Sequence, residues 1–403
     1  MISKALKRKI VLNTMALMLL TGCAGREETP TVETESVISA MEKTAEATGS
    51  DAEAAATTES DAEAASTEDD TSAPGVSTPG EAERDSLFSM NCLGFTQNAS
   101  KTVVIRSDVD ADFSVIDAGT KKSVYDGTFE TAVWDEDLKC HVRKGDFSAV
   151  HTPGRYYIST QSGDSKEFTI GNDVYQRSII SLKESLTKEL KDDELLLLLY
   201  SGQYNEELRE MVEKLRDSDE KSGFKIFTMI KAYWIYRSDD DGFSDSCREK
   251  ALEDWAELDK SDDTYLMAAV SMYLERVISW GQLSEALTTP VDDDMLQLCT
   301  LFELCASGKD KSATSETLKG LEESAAEMIE SYEGKSADEL LSQAVYMTFM
   351  YSLKKNDEYL DHRDMIINYL AGENKDDKAY FTDKGCEADM DVRFLFVLST
   401  SGR

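Results

Sequence analysis

The sequence is poor in the residues that usually hold transition metals. It contains three histidines, which are scattered along the chain, and no two of its seven cysteines have the Cys-x-x-Cys spacing. A zinc site needs about four such ligands grouped in space. The sequence therefore predicts no metal centre of this type and no organic cofactor, while a structural calcium ion stays an open alternative.

Positive charge is also scarce. Lys and Arg number 43 against 79 Asp and Glu, which gives a formal net charge of −36 at pH 7. Nucleic acid carries a dense negative charge and attracts basic surfaces. This composition excludes nucleic acid as a partner.

Several common catalytic motifs are absent from the sequence. There is no Gly-rich phosphate-binding loop, no Gly-x-Ser-x-Gly elbow, and no Ser or Cys with a plausible catalytic His partner nearby. These motifs mark nucleotide-binding enzymes and serine hydrolases. The sequence gives no support to either class.

The first 22 residues have the pattern of an export signal. Four basic residues precede the apolar run Ile10–Leu20, which is too short to span a bilayer. Leu20-Thr-Gly-Cys23 then matches the bacterial lipobox, in which small residues allow cleavage before a lipidated cysteine. We therefore expect residues 1–22 to be a lipoprotein signal peptide. Lipidated Cys23 would anchor the protein to the extracytoplasmic face of a bacterial cell membrane.

Residues 23–85 are predicted to be a disordered acidic tether. From Ala24 to Asp85 there is no aromatic residue, and 17 acidic side chains face three basic ones. Such a segment cannot bury a core. The repeat Ser50-Asp-Ala-Glu-Ala-Ala55, found again as Ser60-Asp-Ala-Glu-Ala-Ala65, favours a solvated, self-repelling spacer. A negatively charged recognition tail is the alternative interpretation.

Residues 86–172 are predicted to form an all-β sandwich. Short apolar or alternating runs such as Thr102–Ile105, Phe113–Asp117 and Arg155–Ser159 are separated by turn signals such as Thr152-Pro-Gly154. About seven short strands with this spacing are typical of a sandwich. Cys92 and Cys140 both lie here, and in an exported chain they are the pair expected to be closest.

The same residues carry a resemblance to a known family. Met90–Val104, Phe113–Ala118, Val124–Gly127 and Asp146–Ile158 are similar, in order, to segments of the N-terminal immunoglobulin-like domain of family-nine glycoside hydrolases, the endoglucanases. Gly171–Tyr175 resembles the exit of that domain into the first catalytic helix. The resemblance implies an Ig-like domain that carries no catalytic group itself, followed by a helical domain. A generic sandwich is the alternative.

After Tyr175 the hydrophobic period changes from about 2 to about 3.6. Residues 173–403 are therefore predicted to be all-helical, with short joints between helices at about 175–191, 193–200, 204–216, 224–237, 244–258, 263–280, 291–307, 313–332, 336–353, 357–371 and 388–399. Such helical hairpins favour a ring. The resemblance implies the same, because the family's catalytic domain is a twelve-helix (α/α)6 toroid. The helical domain is, however, much shorter than is usual in that family, so we expect a reduced toroid with little of the substrate cleft.

The resemblance carries over to three candidate catalytic carboxylates. Asp217 and Glu220, in Asp217-Ser-Asp-Glu220, precede a helix as the family's Asp-Ala-Gly-Asp base loop does. Glu387 stands where the family's acid begins the final helix, after Asn368–Asn374 and Ala379–Thr382, which resemble the family's Tyr-Leu-x-Gly-x-Asn and Ser-Tyr-Val-Thr segments. The family's His-His-Arg segment has no counterpart. A solvated charge run for the first pair, and stabilisation of a helix N-terminus for Glu387, are the alternatives.

Aromatic residues on the predicted helices could stack on sugar rings or could pack in the core. They are Tyr233, Trp234, Tyr236, Trp255, Tyr265, Tyr273, Trp280, Tyr346 and Tyr351. Their helical spacing is typical of core packing.

Three functions follow from these observations. The first is a cell-surface lipoprotein of endoglucanase descent that binds plant or cell-wall polysaccharide and has weak or no catalytic activity. The second is a working inverting endo-β-glucanase that uses Glu387 with Asp217 or Glu220. The third is a structural interaction protein of the cell envelope.

Overall fold

The computed structural model describes residues 87–136, 138–185, 190–203, 206–309, 311–331, 334–374, 378–382, 385–386 and 390–401. All of them belong to one compact unit. The predicted signal peptide, Cys23, the predicted tether and Glu387 lie outside the described residues.

The first domain is a sandwich of two four-stranded antiparallel sheets, as predicted. One sheet has the order β1-β2-β6-β5 and the other the order β4-β3-β7-β8. The strands are β1 Phe88–Ser89, β2 Thr102–Arg106, β3 Asp112–Asp117, β4 Ser123–Thr128, β5 Val133–Asp135, β6 Cys140–Asp146, β7 Gly154–Ser159 and β8 Phe168–Ile170.

The sandwich core follows from the alternation of side chains along each strand. Val103 and Ile105 of β2 are fully buried, and they face Val115 of β3 and its neighbours across the sandwich. Phe95 packs its ring edge-on against Phe147 at a centroid distance of 5.3 Å. Successive strand side chains point to opposite faces, so an apolar residue at every second position builds one buried layer.

The second domain is helical throughout most of its described length. Twelve helices lie in the described residues: α1 Gln176–Ser185, α2 Asp192–Ser201, α3 Glu206–Asp217, α4 Gly223–Tyr236, α5 Asp241–Glu257, α6 Tyr265–Leu274, α7 Trp280–Ala286, α8 Asp294–Ala306, α9 Lys311–Glu330, α10 Ala337–Lys354, α11 Asp357–Leu370 and α12 Asp391–Thr400. A short hairpin, β9 Phe381–Thr382 and β10 Gly385–Cys386, precedes α12. Among the described helices, none has both the length and the apolar character that crossing a membrane requires.

The predicted helix 263–280 is wrong, because the structure divides it. Helix α6 ends at Leu274, and Arg276 has φ +63°, a left-handed conformation that ends a helix. A capping box between Ser279 and Gln282 then starts α7. Apolar residues continue across the break, so the hydrophobic period did not reveal it.

Six helices form a closed inner ring, which confirms the expected (α/α)6 toroid. Each of α2, α4, α6, α8, α10 and α12 packs against the next, and α12 packs back onto α2. The other six pack around them on the outside. Leu195–Leu199 of α2 and Leu340–Met350 of α10 are almost wholly buried. An inner helix is covered on all sides, so its apolar residues are not confined to one stripe.

Side chains fill the centre of the ring, where α2 and α8 contact each other across it. The Tyr200 hydroxyl donates to Glu303 Oε1 at 2.7 Å, and Lys231 Nζ donates to the same oxygen at 2.5 Å. Phe302 and Phe349 pack edge-on against the Tyr200 ring at 5.7 and 5.1 Å. This half-buried ion pair and aromatic cluster join opposite sides of the ring.

The sandwich is docked on the helical domain through the segment Asn368–Asn374. Asn91 Nδ2 donates to Asn368 Oδ1 at 2.9 Å, and the Thr102 hydroxyl donates to Glu373 Oε1 at 2.5 Å. Both side-chain pairs are buried. The segment that resembles the family's Tyr-Leu-x-Gly-x-Asn stretch therefore serves here as an interdomain contact.

Cys92 and Cys140, the two cysteines expected to be closest, are both free thiols in the structure. The Cys92 backbone N–H donates to Ala371 O at 2.9 Å, which places Cys92 at the interdomain contact. Cys140 instead starts β6 and pairs with Asp135 of the edge strand β5.

Candidate active site

The inner helices begin at one end of the ring, and carboxylates gather there. Asp192 and Asp193 start α2, Glu220 precedes α4, Asp263 precedes α6, and Asp293 precedes α8. The charges of Glu220, Asp263 and Asp293 all act on Asp192, as does that of Asp193. We call these five residues the acidic mouth.

Helix capping explains why acidic residues lie at this end. Asp293 Oδ1 accepts hydrogen bonds at 2.9 Å from the backbone N–H groups of Met295 and Leu296. Asp262 Oδ1 accepts from Gly223 N at 3.2 Å and from Thr264 N at 2.9 Å, so it joins the starts of α4 and α6. The first backbone N–H groups of a helix lack partners within it, and a carboxylate there accepts their hydrogen bonds. Its negative charge also interacts favourably with the helix dipole.

The pKa values of two carboxyl groups in the acidic mouth are raised. Burial raises the pKa of Asp192, and the negative charges of Glu220, Asp193, Asp293 and Asp263 raise it further. Burial likewise raises the pKa of Asp193, with Asp293 as the next contributor. A carboxyl group that keeps its proton at higher pH can act as a general acid. Sequence analysis missed both residues, although an Asp-Asp-Glu run at a helix start was a visible signal.

Asp217 is an exposed, ion-paired carboxylate. It ends α3, its side chain is 67% exposed, and its Oδ1 and Oδ2 accept from Arg216 Nε at 2.8 Å and Nη2 at 3.2 Å. These hydrogen bonds from Arg216 lower the pKa of Asp217. The charge is thus already engaged by a neighbour in the chain, which makes the carboxylate a weaker base.

Glu220 lies in a more suitable position for a catalytic base than Asp217 does. Its Oε1 accepts from the Ser222 hydroxyl at 2.8 Å, and its charge acts on Asp192. Glu387 lies outside the described residues. The start of α12 nevertheless reaches the acidic mouth, because the charge of Arg393 acts on Asp193.

A buried lysine holds the joint that carries Glu220. Lys225 is fully buried, and its Nζ donates to Ser218 O at 2.7 Å and to Glu220 O at 3.1 Å. Asp254 Oδ2, itself buried, lies 3.2 Å from the same nitrogen. A cation bound to two loop carbonyls and one carboxylate keeps this short joint in a single conformation.

Aromatic side chains lie at both ends of the ring. Trp255, near the end of α5, stacks on Tyr265, the first residue of α6, with ring centroids 5.4 Å apart and planes at 28°. Both are half-buried, and Tyr265 is two residues from Asp263 in the chain. Trp234 instead lies near the end of α4, where its Nε1 donates to Glu275 at 2.9 Å. The Trp255 and Tyr265 pair, unlike Trp234, is therefore placed to meet a ligand at the acidic mouth.

Within the described residues, no group of three or more His, Cys, Asp or Glu side chains is arranged to hold a metal ion. The carboxylates of the acidic mouth are available as proton carriers or hydrogen-bond acceptors.

Comparison with known proteins bears on both domains. Residues 84–165 match the family model described as the cellulase N-terminal Ig-like domain. The chain is 37% identical over 93 residues to Endoglucanase D of Acetivibrio thermocellus, and 35% identical over 88 residues to a cellodextrinase of Butyrivibrio fibrisolvens. The chain is an endoglucanase-like protein with a cellulase Ig-like domain.

The endoglucanase-like chain shares only part of its sequence with these relatives. The matched segments cover 23% and 22% of this chain and 14% and 16% of the relatives. The shared sequence is thus about the size of the sandwich.

The helical domain is related to known structures through its fold. A metagenome-derived glycoside hydrolase family 9 endoglucanase superposes with a TM-score of 0.59, covering 74% of this chain and 86% of that chain at 13% identity. A family 9 protein of Bacteroides ovatus superposes with a TM-score of 0.56, covering 75% and 87% at 14% identity. The sandwich followed by an (α/α)6 barrel is therefore the fold of family 9 enzymes.

Proposed function

We propose that this chain is a lipid-anchored protein of the bacterial cell surface that binds polysaccharide and hydrolyses it weakly or not at all. The observation that carries this proposal is the ion pair of Asp217 with Arg216. The carboxylate that resembles the family's base is exposed and accepts hydrogen bonds from Nε and Nη2 of Arg216. Inverting hydrolysis needs a base that is available to activate water.

Polysaccharide binding by the same surface requires no positioned base. The stacked Trp255 and Tyr265 rings offer apolar area beside the acidic mouth, and its carboxylates can accept hydrogen bonds from sugar hydroxyl groups. The negative charge of the mouth favours a neutral or cationic saccharide over an acidic one. The lipobox ending at Cys23 and the acidic segment after it support a position at the cell surface, away from the bilayer.

A working glycosidase is the second candidate, and the acidic mouth favours it. The pKa of Asp192 is raised, and the charged Glu220 stands close enough to contribute to that shift. A carboxyl group with a raised pKa is suited to the role of general acid, and a second carboxylate near it is available as the base. In this alternative Asp192 or Glu387 protonates the leaving oxygen, and Glu220 activates water.

Hydrolysis and binding are tested on the same substrates. Reducing-sugar release from carboxymethylcellulose, xyloglucan and mixed-linkage glucan is measured for the wild type and for Asp192→Asn, Glu220→Gln, Asp217→Asn and Glu387→Gln. Affinity electrophoresis in gels that contain these glucans measures binding. We expect retarded migration without turnover. Turnover that one of these substitutions abolishes would establish the second candidate, and an absence of both turnover and binding would refute polysaccharide as the ligand.

A further inference from the structure

The sandwich presents an exposed tryptophan far from the acidic residues of the helical domain in sequence. Trp134 lies on β5, a three-residue strand at the edge of its sheet, and is 46% exposed. It is the most exposed of the four tryptophans, and its indole belongs to neither hydrophobic core. An exposed tryptophan offers a large, flat apolar ring to a ligand, with an N–H donor at its edge.

Polar side chains hold the indole in place. Trp134 is directly opposite His141 of β6, and the two rings meet at a centroid distance of 5.2 Å and an angle of 74°. His141 Nδ1 is hydrogen-bonded to Asp108 Oδ1, and this bond lowers the pKa of Asp108, which is therefore ionised at neutral pH. A cross-strand pair on an antiparallel sheet is a well-ordered contact.

This arrangement offers the groups that a sugar ring requires. The C–H face of a pyranose packs on an aromatic ring, while its hydroxyl groups need donors and acceptors at the ring's edge. The side chains of His141 and Asp108 are 39% and 66% exposed, so both can be reached from solvent. The net charge of −36 opposes the approach of an anionic polymer.

We propose that Trp134, with His141 and Asp108, is a stacking platform for a neutral β-linked glucan. This inference rests on the proposed polysaccharide-binding function and adds a second contact, on the sandwich, to the one at the acidic mouth. The platform binds a segment of the polymer and does not take part in hydrolysis.

The test is affinity electrophoresis of the full-length chain in gels that contain hydroxyethylcellulose, a neutral soluble glucan. We expect Trp134→Ala to weaken binding at least about tenfold, the usual effect of removing an aromatic residue that dominates a contact. Trp134→Tyr keeps an aromatic ring and should retain most of the affinity. Val133→Ala is the matched control, because Val133 is the neighbouring residue on β5, is 68% exposed and points to the opposite face.

The outcomes separate this platform from the proposed function. Unchanged binding by Trp134→Ala, together with lost binding by Trp255→Ala, would overturn the platform and leave polysaccharide binding at the acidic mouth. An absence of wild-type binding to hydroxyethylcellulose, mixed-linkage glucan and xyloglucan would overturn both. Circular dichroism of each variant ensures that a loss of binding is not a loss of fold.

Discussion

Replacement of Gly223 by alanine should separate the starts of α4 and α6 at the acidic mouth. Gly223 is the first residue of α4, and a Cβ atom placed there would overlap the Thr264 carbonyl group and lie 3.0 Å from Tyr265 N. Both neighbours are backbone atoms at the start of α6. Neither can turn away as a flexible side chain could, so the two helix starts must separate.

The size of the effect follows from two opposing contributions. Forcing extra volume into a packed contact costs about 1–3 kcal/mol, and a backbone overlap belongs at the upper end of that range. Alanine in place of glycine gains at most about 1 kcal/mol of helix propensity. We therefore expect a net loss of about 2 kcal/mol, which lowers the Tm of a helical domain of this size by about 4–8 °C.

Thermal unfolding followed by far-ultraviolet circular dichroism measures this change, because the signal comes mainly from the helices. Gly320→Ala is the matched control. Gly320 lies within α9, and a Cβ atom there would meet nothing within 4 Å. That variant should gain about 0.5–1 kcal/mol and have a raised Tm. A Gly223→Ala protein as stable as the wild type would refute the close packing of α4 against α6.

Three further predictions concern charged side chains. Lys225→Met should cost about 1–3 kcal/mol in urea unfolding, because the Ser218 and Glu220 carbonyl groups lose their buried donor, whereas Asp254 keeps Lys250 at 2.8 Å. A variant as stable as the wild type would contradict this bonding. Asp192→Asn should raise stability at neutral pH. Because the folded-state pKa of Asp192 is raised, its stabilising contribution is present at low pH and is lost as pH rises from the ordinary Asp range through the raised pKa. The variant's stability should therefore depend less on pH in that window. If the stability of Asp192→Asn depended on pH as strongly as that of the wild type, the neighbouring carboxylates would not be raising the pKa of Asp192. Glu373→Ala should remove the buried hydrogen bond from Thr102 and increase the rate of proteolysis at residues 171–173, between the domains. Glu373→Gln keeps an acceptor and should not increase it. Equal cleavage rates for the two variants would show that this hydrogen bond does not hold the sandwich in place.

Local patterns predicted most of the secondary structure. The run Phe113–Asp117 predicted β3, which spans Asp112–Asp117, because alternation and turn residues act over a few positions. The predicted helix 336–353 matches α10, Ala337–Lys354, whose start is set by the capping box of Ser336 and Glu339. The break at Arg276 was missed because a left-handed residue leaves no mark on the hydrophobic period.

The candidate site was predicted in part. The resemblance pointed to Asp217 and Glu220, and the structure places the charge of Glu220 near Asp192, while it engages Asp217 with Arg216. The sequence shows that both are acidic and precede a helix. It does not show which of them meets other carboxylates, because that depends on how the ring of helices closes.

The sequence by itself determined the two-domain order, the sandwich, the succession of helices and the acidic residues at the helix starts, because periodicity, capping and turn chemistry act between near neighbours in the chain. Only the tertiary structure decided that Asp192 and Asp293, about a hundred residues apart, share the acidic mouth, where the charge of Asp293 helps to raise the pKa of Asp192. It also decided that Asn368–Asn374 contacts the sandwich. The pKa of a carboxyl group depends on its burial and on charges within a few ångströms, and ring closure sets both.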